Sequence, residues 1–482
     1  MNQVFTKIVA TIGPASRDYT TVKNIIESGA SVIRLNFSHE TFEAHEKTLN
    51  FAREAAKELG RSVAVFQDLQ GPKIRIGELP NGPIKLKEGT EFIITTEQCE
   101  GNEKRVSIDY PMLHKEAKPG NKILIDDGLI GLEVTKVSGN DIYTKVVDPG
   151  LLKPRKGVNL PHIKLSGLSS FTEKDEKDLE FAFTHDIDYV ALSFVRTHYD
   201  VRALKDYMVR KYSRTIPVIA KIEKPEAVED LDCIIEETDA IMVARGDLGV
   251  ETSPEDVPMI QKTIINRCNV AGLPVITATQ MLESMIENPR PTRAEAGDVA
   301  NAILDGTSAV MLSGETAAGT YPVESVKMMR KIAVRTETST QFKTLVFNRR
   351  SRITGMDHRQ WSATEAVGVA ARELAVAIHA KYIVSFTHSG GTAVLISKAK
   401  PPIPTIALSP IDETVQRLNL AWGIIPVKKG ELKTIDDLLY NAPQHLMQMG
   451  LVNPGDYIVI TAGVPVGKPG KTNMIKVVQI EP

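Results

Sequence analysis

Two carboxylates, Glu223 and Asp247, close consecutive apolar runs, Pro217–Glu223 (PVIAKIE) and Ala240–Asp247 (AIMVARGD). If these runs are neighbouring strands, both acids stand on one rim. A pair of hard oxygen donors with room for water suits Mg²⁺ or Mn²⁺ rather than zinc. Lys221 lies two residues before Glu223, so strand alternation turns both side chains to the same face. An ammonium beside a divalent ion is what a transferring phosphoryl group requires, because negative charge builds on its oxygens. The competing reading is a plain ion pairing of the acids with Lys221 and Arg245, and these residues alone leave both open. Arg34 and Arg75 add two guanidinium forks suited to phosphate oxygens, although a surface ion pair is a simpler account of Arg75 than of Arg34, which lies inside an apolar run. In Arg245–Gly246–Asp247–Leu248–Gly249 the glycines let backbone N–H groups approach a ligand, and a helix start there would favour an anion. The sequence holds no G-x-x-x-x-G-K-[ST] and no strand-linked G-x-G-x-x-G, so the familiar nucleotide loops are absent from it.

These residues need a frame. Apolar, β-branched runs recur at Lys7–Gly13, Ser31–Ser38, Ser62–Leu69, Tyr189–Val195, Pro217–Glu223, Ala240–Asp247, Pro274–Gln280 and Ala309–Glu315. Near-continuous apolar runs fit parallel strands buried on both faces. The intervening segments, such as Asp256–Ala271 and Arg293–Leu304, have helical spacing. Eight β-then-α units predict a closed (β/α)₈ TIM barrel with its active face at the C-terminal strand ends. The runs end there in polar groups that include Asn36, Ser38, Asp68, Ser193, Lys221, Glu223, Arg245, Asp247, Thr279, Gln280, Ser313 and Glu315.

About 120 residues separate the third run from the fourth, far more than one crossover helix needs. The intervening sequence alternates short strands with Gly/Pro turns and predicts a small inserted β-barrel domain above the active face, placed to act as a lid. The segment Glu337–Ser362 predicts a helix end and linker. From about Ala363, helix, strand, the loop Thr387–Thr392 (THSGGT) and further strands predict a separate open α/β domain. The expected boundaries are 1–70 and 168–345 for the barrel, 71–167 for the insert and 360–482 for the C-terminal domain.

Lys plus Arg total 58 against 60 Asp plus Glu, so there is no global charge case for nucleic acid. No apolar run approaches the roughly 20 residues that span a bilayer. Met1–Gly13 lacks the pattern of a signal peptide, and Cys99, Cys233 and Cys268 are widely spaced with no C-x-x-C. The expectation is a cytoplasmic protein with reduced thiols and no membrane partner.

The chain resembles the pyruvate kinase family from end to end, through TKIVATIGPAS, RLNFSHE, DLQGPKIR, IDDGL, KGVNLP, IAKIEKPEAV, IMVARGDLGVE, ITATQMLESM, PTRAE, DVANAILDG and MLSGETAAGTYPVE. The resemblance implies phosphoryl transfer from phosphoenolpyruvate to ADP, giving pyruvate and ATP in glycolysis. It also implies a barrel, a β lid, a C-terminal effector domain and a homotetramer. By matching motif, Glu223 and Asp247 would hold Mg²⁺ (or Mn²⁺), and Lys221 would stabilise the phosphoryl group in flight. Backbone N–H groups of Gly246 and Asp247 with the Thr279 hydroxyl would hold the substrate carboxylate. Arg34 and Arg75 would contact phosphates, and Asn36, Ser38, His39 and Lys156 would surround the nucleotide and its ions. Asp127 would swing in with the lid, and Thr279 and its neighbours would help protonate the enolate.

Two departures from the family pattern stand out. Many members carry Asp-Thr-Lys-Gly-Pro-Glu after the third strand and need K⁺. Here the segment is Asp68–Leu69–Gln70–Gly71–Pro72–Lys73, which resembles the branch that works without K⁺, Lys73 taking the cation's part beside Asn36, Ser38 and Asp68. The effector loop Thr387–His388–Ser389–Gly390–Gly391–Thr392 lacks the Lys and Arg of bisphosphate-regulated relatives. Its turn and its hydroxyls at Thr387, Ser389 and Thr392 suit a sugar or nucleotide monophosphate better, with the stretch Gly463–Lys471 as its second wall. Another oxoacid-handling barrel, such as an aldolase or lyase, would keep the metal carboxylates but would not need the lid or Lys156. A metabolite-sensing protein without catalysis would not need Lys221, Glu223, Asp247 and Thr279 together.

Overall fold

The computed structural model describes residues 4–346, 362–430, 434–464 and 472–481. Most of the expected linker and of the stretch Gly463–Lys471 lie outside the described residues.

Strands β1 (Lys7–Ile12), β2 (Val32–Asn36) and β3 (Ala64–Asp68) open the chain. β3 is buried at all five positions, as expected for a strand covered by helices on one side and by the barrel interior on the other. The chain then leaves the barrel at Gly71, whose φ of +67° is left-handed and where a Cβ would come within 2.9 Å of Ser193. Only a residue without a side chain fits that exit without strain.

The excursion builds β4 (Ile84–Leu86), β5 (Glu91–Thr95), β6 (Arg105–Ser107), β7 (Lys122–Ile125), β8 (Ile130–Ser138), β9 (Asp141–Asp148), β10 (Gly150–Leu152) and β11 (Val158–Asn159). They pair as a six-stranded sheet, β11-β7-β8-β9-β5-β6, and a two-stranded ribbon, β10-β4. Phe92, Ile94, Ile123, Leu132 and Ile142 form a core of its own for this unit.

The barrel resumes with β12 (Tyr189–Val195), β13 (Val218–Ile222), β14 (Ala240–Ala244), β15 (Val275–Ala278) and β16 (Ala309–Leu312). β3 pairs directly with β12, Phe66 opposite Tyr189, so the insert leaves and re-enters between neighbours without opening the wall. The closed order is β1-β16-β15-β14-β13-β12-β3-β2, all parallel. Helices Val257–Ala271 and Arg293–Asp305 fall within a residue of the ranges their spacing predicts.

The C-terminal sheet comprises β17 (Tyr382–Phe386), β18 (Thr405–Ser409), β19 (Ile424–Lys428), β20 (Tyr457–Ala462) and β21 (Met474–Gln479). Its order is β19-β18-β17-β20-β21, with only β21 antiparallel. This unit reaches into the barrel. Leu420 is fully buried among Val9, Phe66 and Met242 in the barrel interior, and Trp422 stacks on Phe5 at 4.8 Å. No helix among the described residues is long and apolar enough to cross a membrane.

Candidate active site

The residues singled out by type meet at the C-terminal rim. Arg34, on β2, places Nε and Nη2 each 2.7 Å from Asp68 Oδ2 at the end of β3, and its Nη1 donates to the Thr11 hydroxyl. Lys221, on β13, sends its ammonium 3.2 Å from the other Asp68 oxygen and 3.0 Å from Glu223 Oε1. It also donates to Ser193 Oγ at 2.7 Å, and that hydroxyl donates on to the Leu69 carbonyl. Glu223 Oε2 accepts the Phe194 N–H at 2.6 Å, made possible by a left-handed Phe194 (φ +54°). Lys221, Asp68 and Glu223 are thus mutually fixed, and Asp68 and Glu223 are each 1% exposed.

The charges follow from this packing. Burial alone would lower the Lys221 pKa, but Asp68 and Glu223 more than reverse it and hold the ammonium above its ordinary value. Burial raises Asp68, and Lys221 with Arg34 outweighs it, leaving the carboxyl below its ordinary value. Glu223 goes the other way. Burial pushes it up to about 7, against the pull of Lys221, and the charge of Asp247 adds to the rise. A buried carboxyl whose ionisation a neighbouring carboxylate opposes makes, with that neighbour, a donor set that a hard divalent cation fits, because its charge relieves the repulsion.

Asp247 lies in the first turn of the helix Arg245–Glu251, directly after β14, as the glycine pattern predicts. The Gly246 N–H donates to Thr279 Oγ1 at 2.8 Å, so the two groups expected at a substrate carboxylate are neighbours. Thr279 and Gln280 both have positive φ, +66° and +53°. Arg245 does not pair with the acids of the site. It binds Asp298 at 2.7 Å and the Thr279 carbonyl at 2.7 Å, which locks this turn in place. Of the two cations weighed as partners for the acids, only Lys221 takes that place.

Other expected residues are distributed around this centre. Asn36 Oδ1 accepts the Ser38 N–H at 3.2 Å on the turn after β2, and His39 is exposed beside them. Arg75 belongs to the root of the insert: it bridges to Gly157 and donates to the Arg155 carbonyl. Lys156 pairs with Asp126 at 2.7 Å. Asp126 and Asp127 are consecutive left-handed residues of the D-D-G turn. Lys73 is exposed, its stem against Gly157, and it lines a cleft with Asp127 and Asp247. The cleft therefore has the barrel on one wall and the insert on the other.

Three residues of this cleft escaped the sequence reading. Lys224 pairs with Glu251 at 2.6 Å, and Glu251 Oε1 also accepts from Asn159 of the insert at 2.8 Å. Glu251 is 1% exposed, so this buried triad couples the insert to the helix that carries Asp247. IEKPEAV and DLGVE were visible as motifs, but nothing in them points Lys224 at Glu251.

In the C-terminal unit, Thr387 Oγ1 accepts the Gly390 N–H at 2.9 Å, and Gly390 (φ +88°) turns the chain into the helix Gly391–Lys398. Ser389 is exposed at that turn, and Thr392 Oγ1 lies 2.7 Å from Thr472 Oγ1.

Comparison with known proteins places these features together. A family model described as "Pyruvate kinase, barrel domain" matches residues 4–326, and one described as "Pyruvate kinase, alpha/beta domain" matches residues 365–478. The pyruvate kinase of Geobacillus stearothermophilus is 46% identical over 474 residues, spanning 98% of this chain and 80% of that protein. That of Staphylococcus haemolyticus is 45% identical over 473 residues with the same coverage. A crystal structure of a pyruvate kinase from Cryptosporidium parvum superposes with a TM-score of 0.93 at 38% identity, covering 99% of this chain and 96% of that one.

Proposed function

The chain belongs to the pyruvate kinase family and is a phosphotransferase of that kind, and on that premise we propose which of its groups carry the reaction. The donor is phosphoenolpyruvate and the acceptor ADP. The bond from phosphorus to the enol oxygen breaks, a bond to a terminal oxygen of ADP forms, and the enolate left behind gains a proton on carbon to give pyruvate.

The observation that carries the assignment is the Lys221 ammonium, held 3.0 Å from Glu223 and 3.2 Å from Asp68 at the mouth of the barrel. A cation held by two neighbours has little reorganisation left to undergo when phosphoryl charge arrives, which is the condition for electrostatic catalysis. Arg34, anchored by Asp68 and Thr11, presents a second cation to the same phosphate. Glu223 and Asp247 would hold Mg²⁺ (or Mn²⁺), which when bound supplies positive charge to the phosphoryl and enolate oxygens. The Gly246 and Asp247 N–H groups and the Thr279 hydroxyl receive the substrate carboxylate. Thr279 and its neighbours then serve the protonation of the enolate. Asn36, Ser38, His39, Arg75 and Lys156 surround the nucleotide. The insert closes over the cleft through Asp127 and excludes water, which would otherwise take the phosphoryl group.

Members of the family generally need Mg²⁺ and K⁺ or another monovalent cation. We assign this chain to the branch that dispenses with K⁺, on the strength of Lys73 and the buried, hydroxyl-free Leu69. The C-terminal turn at Thr387–Thr392 is assigned a phosphorylated effector in a homotetramer. Ser389→Asp should then abolish any shift that sugar or nucleotide monophosphates produce in half-saturation for phosphoenolpyruvate, and a domain that responds to none of them is structural. The test of the function itself is a lactate-dehydrogenase-coupled initial rate. Pyruvate should appear only when phosphoenolpyruvate, ADP and a divalent cation are all present. ADP-independent pyruvate formation would point to the lyase or phosphatase alternatives.

A further inference from the structure

Among residues that have no part in the phosphoryl transfer assigned above, three potential metal ligands of different types converge. His198 opens the helix His198–Tyr212 after β12. Asp230 joins the short helices Pro225–Glu229 and Leu231–Glu237 after β13, and Cys233 lies one turn further on. Asp230 Oδ2 is 2.7 Å from His198 Nδ1 and accepts the His198 backbone N–H at 2.7 Å. A His nitrogen, an Asp oxygen and the Cys233 sulfur all lie within 4.8 Å of one another.

Capping accounts for only part of this arrangement. Asp200 Oδ2 accepts the Thr197 N–H at 2.9 Å, and Asp230, brought across from the next β/α unit, accepts the N–H of His198, the first helical residue, and contacts its ring nitrogen besides. The His198 ring is backed by Tyr199, ring centroids 3.9 Å apart. The sulfur is reachable as well: Cys233 is exposed, Cys268 is buried and Cys99 is intermediate.

We propose that His198, Asp230 and Cys233 form a binding site for a borderline-soft divalent ion of the Zn²⁺ class, with three protein ligands and a fourth position open to water. Ligand atoms around tetrahedral zinc, at bonds of about 2.0–2.3 Å, stand roughly 3.3–3.8 Å apart. The His198 Nδ1–Asp230 Oδ2 contact at 2.7 Å must therefore open by roughly 0.6 Å or more as its hydrogen bond gives way to the ion, while the sulfur closes by at most roughly 1.5 Å, a movement an exposed cysteine makes by rotating its side chain. The donor set separates this site from the catalytic one: nitrogen, sulfur and oxygen here, carboxylate oxygens alone at Glu223 and Asp247. Binding releases the thiol proton, requires His198 to ligate through a ring nitrogen that carries no proton, and clips two consecutive β/α units of the barrel together. An ion that binds only the folded state stabilises it by mass action.

The test uses the full-length, chelator-treated protein in excess Mg²⁺, so that the catalytic carboxylates do not report. Co²⁺ is the spectroscopic probe and Zn²⁺ its competitor. Titration should give a sulfur-to-cobalt charge-transfer band that saturates at one equivalent and that Zn²⁺ abolishes. Cys233→Ser should remove the band while Mg²⁺-dependent activity is unchanged, Cys99→Ser should leave it intact, and His198→Asn should weaken cobalt binding at least tenfold. In a second arm, one equivalent of Zn²⁺ should slow alkylation of Cys233 at least tenfold and leave Cys99 unaffected. Absence of the band, its persistence in Cys233→Ser, an undiminished affinity in His198→Asn, or alkylation of Cys233 indifferent to Zn²⁺ would each overturn the proposal.

Discussion

Replacing Lys221 with Met keeps side-chain length and volume and removes one charge. The ammonium lies 3.0 Å from Glu223 and 3.2 Å from Asp68. At an effective dielectric near 20, each contact corresponds to roughly 5 kcal/mol of gross attraction, enough to hold the lysine in one place. The fold tolerates the change, because Asp68 keeps Arg34 at 2.7 Å and Glu223 keeps the Phe194 N–H at 2.6 Å. The catalytic loss is set by the charge that appears only as the phosphoryl group moves. One additional unit charge about 4 Å from the ammonium is worth about 4 kcal/mol at the same dielectric, or close to three decades in rate. Lys221→Met should therefore lower kcat about a thousandfold, with a smaller effect on KM for ADP. Steady-state rates with both substrates saturating, alongside a thermal melt to confirm folding, measure it. A folded variant that keeps a tenth of the wild-type kcat would refute the role given to this ammonium.

Glu223→Gln and Asp247→Asn should each raise the Mn²⁺ concentration for half-maximal activity, and the double variant should cost much less than the sum; additive effects would mean that the two carboxylates do not share an ion. Dialysed enzyme assayed with only a bulky organic ammonium as monovalent cation should run within about threefold of its rate in K⁺, since a tethered charge does not depend on mass action; a tenfold activation by K⁺ would refute the part given to Lys73, and Leu69→Thr with Lys73→Glu should create such an activation. Asp188 supplies a pH dependence of stability. Burial, against the pull of Arg53, raises its carboxyl from an ordinary 3.8 to about 6. Between those values the folded state keeps a proton that the unfolded state has released, so this residue's contribution to stability falls as pH rises through the window, by up to about 3 kcal/mol in all. Denaturant midpoints at pH 4 and pH 6.5 should differ less in Asp188→Asn than in wild type; an identical difference in both would contradict the assignment.

The barrel was legible because both faces of its strands are apolar, and each of the eight runs contains one observed strand. The insert was legible from length: no single crossover helix fills the chain between β3 and β12. Lys221 and Glu223 were placed together by simple alternation, which survives folding as long as the strand is regular up to its end. Alternation fails at an irregularity inside β12 and in the loops beyond the strands. Phe194, Thr279 and Gln280 adopt left-handed backbone that no glycine announces, and these reversals bring the Phe194 N–H to Glu223 and the Thr279 hydroxyl to Gly246. Arg75 shows the same limit. Its motif suggested a phosphate contact, and nothing in that motif announced the strand bridge to Gly157 that fixes its backbone at the root of the insert. The Lys224–Glu251–Asn159 triad was invisible because its members come from three segments whose approach depends on how the insert sits on the barrel. Arg245 looked like a partner for the acids and instead binds Asp298 and the carbonyl of Thr279.

The central claim is that phosphorus passes directly from phosphoenolpyruvate to ADP at the Lys221–Glu223–Asp247 rim. The most direct measurement is a single-turnover rapid quench, with enzyme in excess over phosphoenolpyruvate labelled in its phosphate, in the presence of ADP and Mg²⁺. The label should appear in the terminal phosphate of ATP, one for each pyruvate formed, and none should appear as inorganic phosphate beyond background. Lys221→Met should slow that transfer about a thousandfold. Label released mainly as inorganic phosphate, or transfer in Lys221→Met as fast as in wild type, would contradict it.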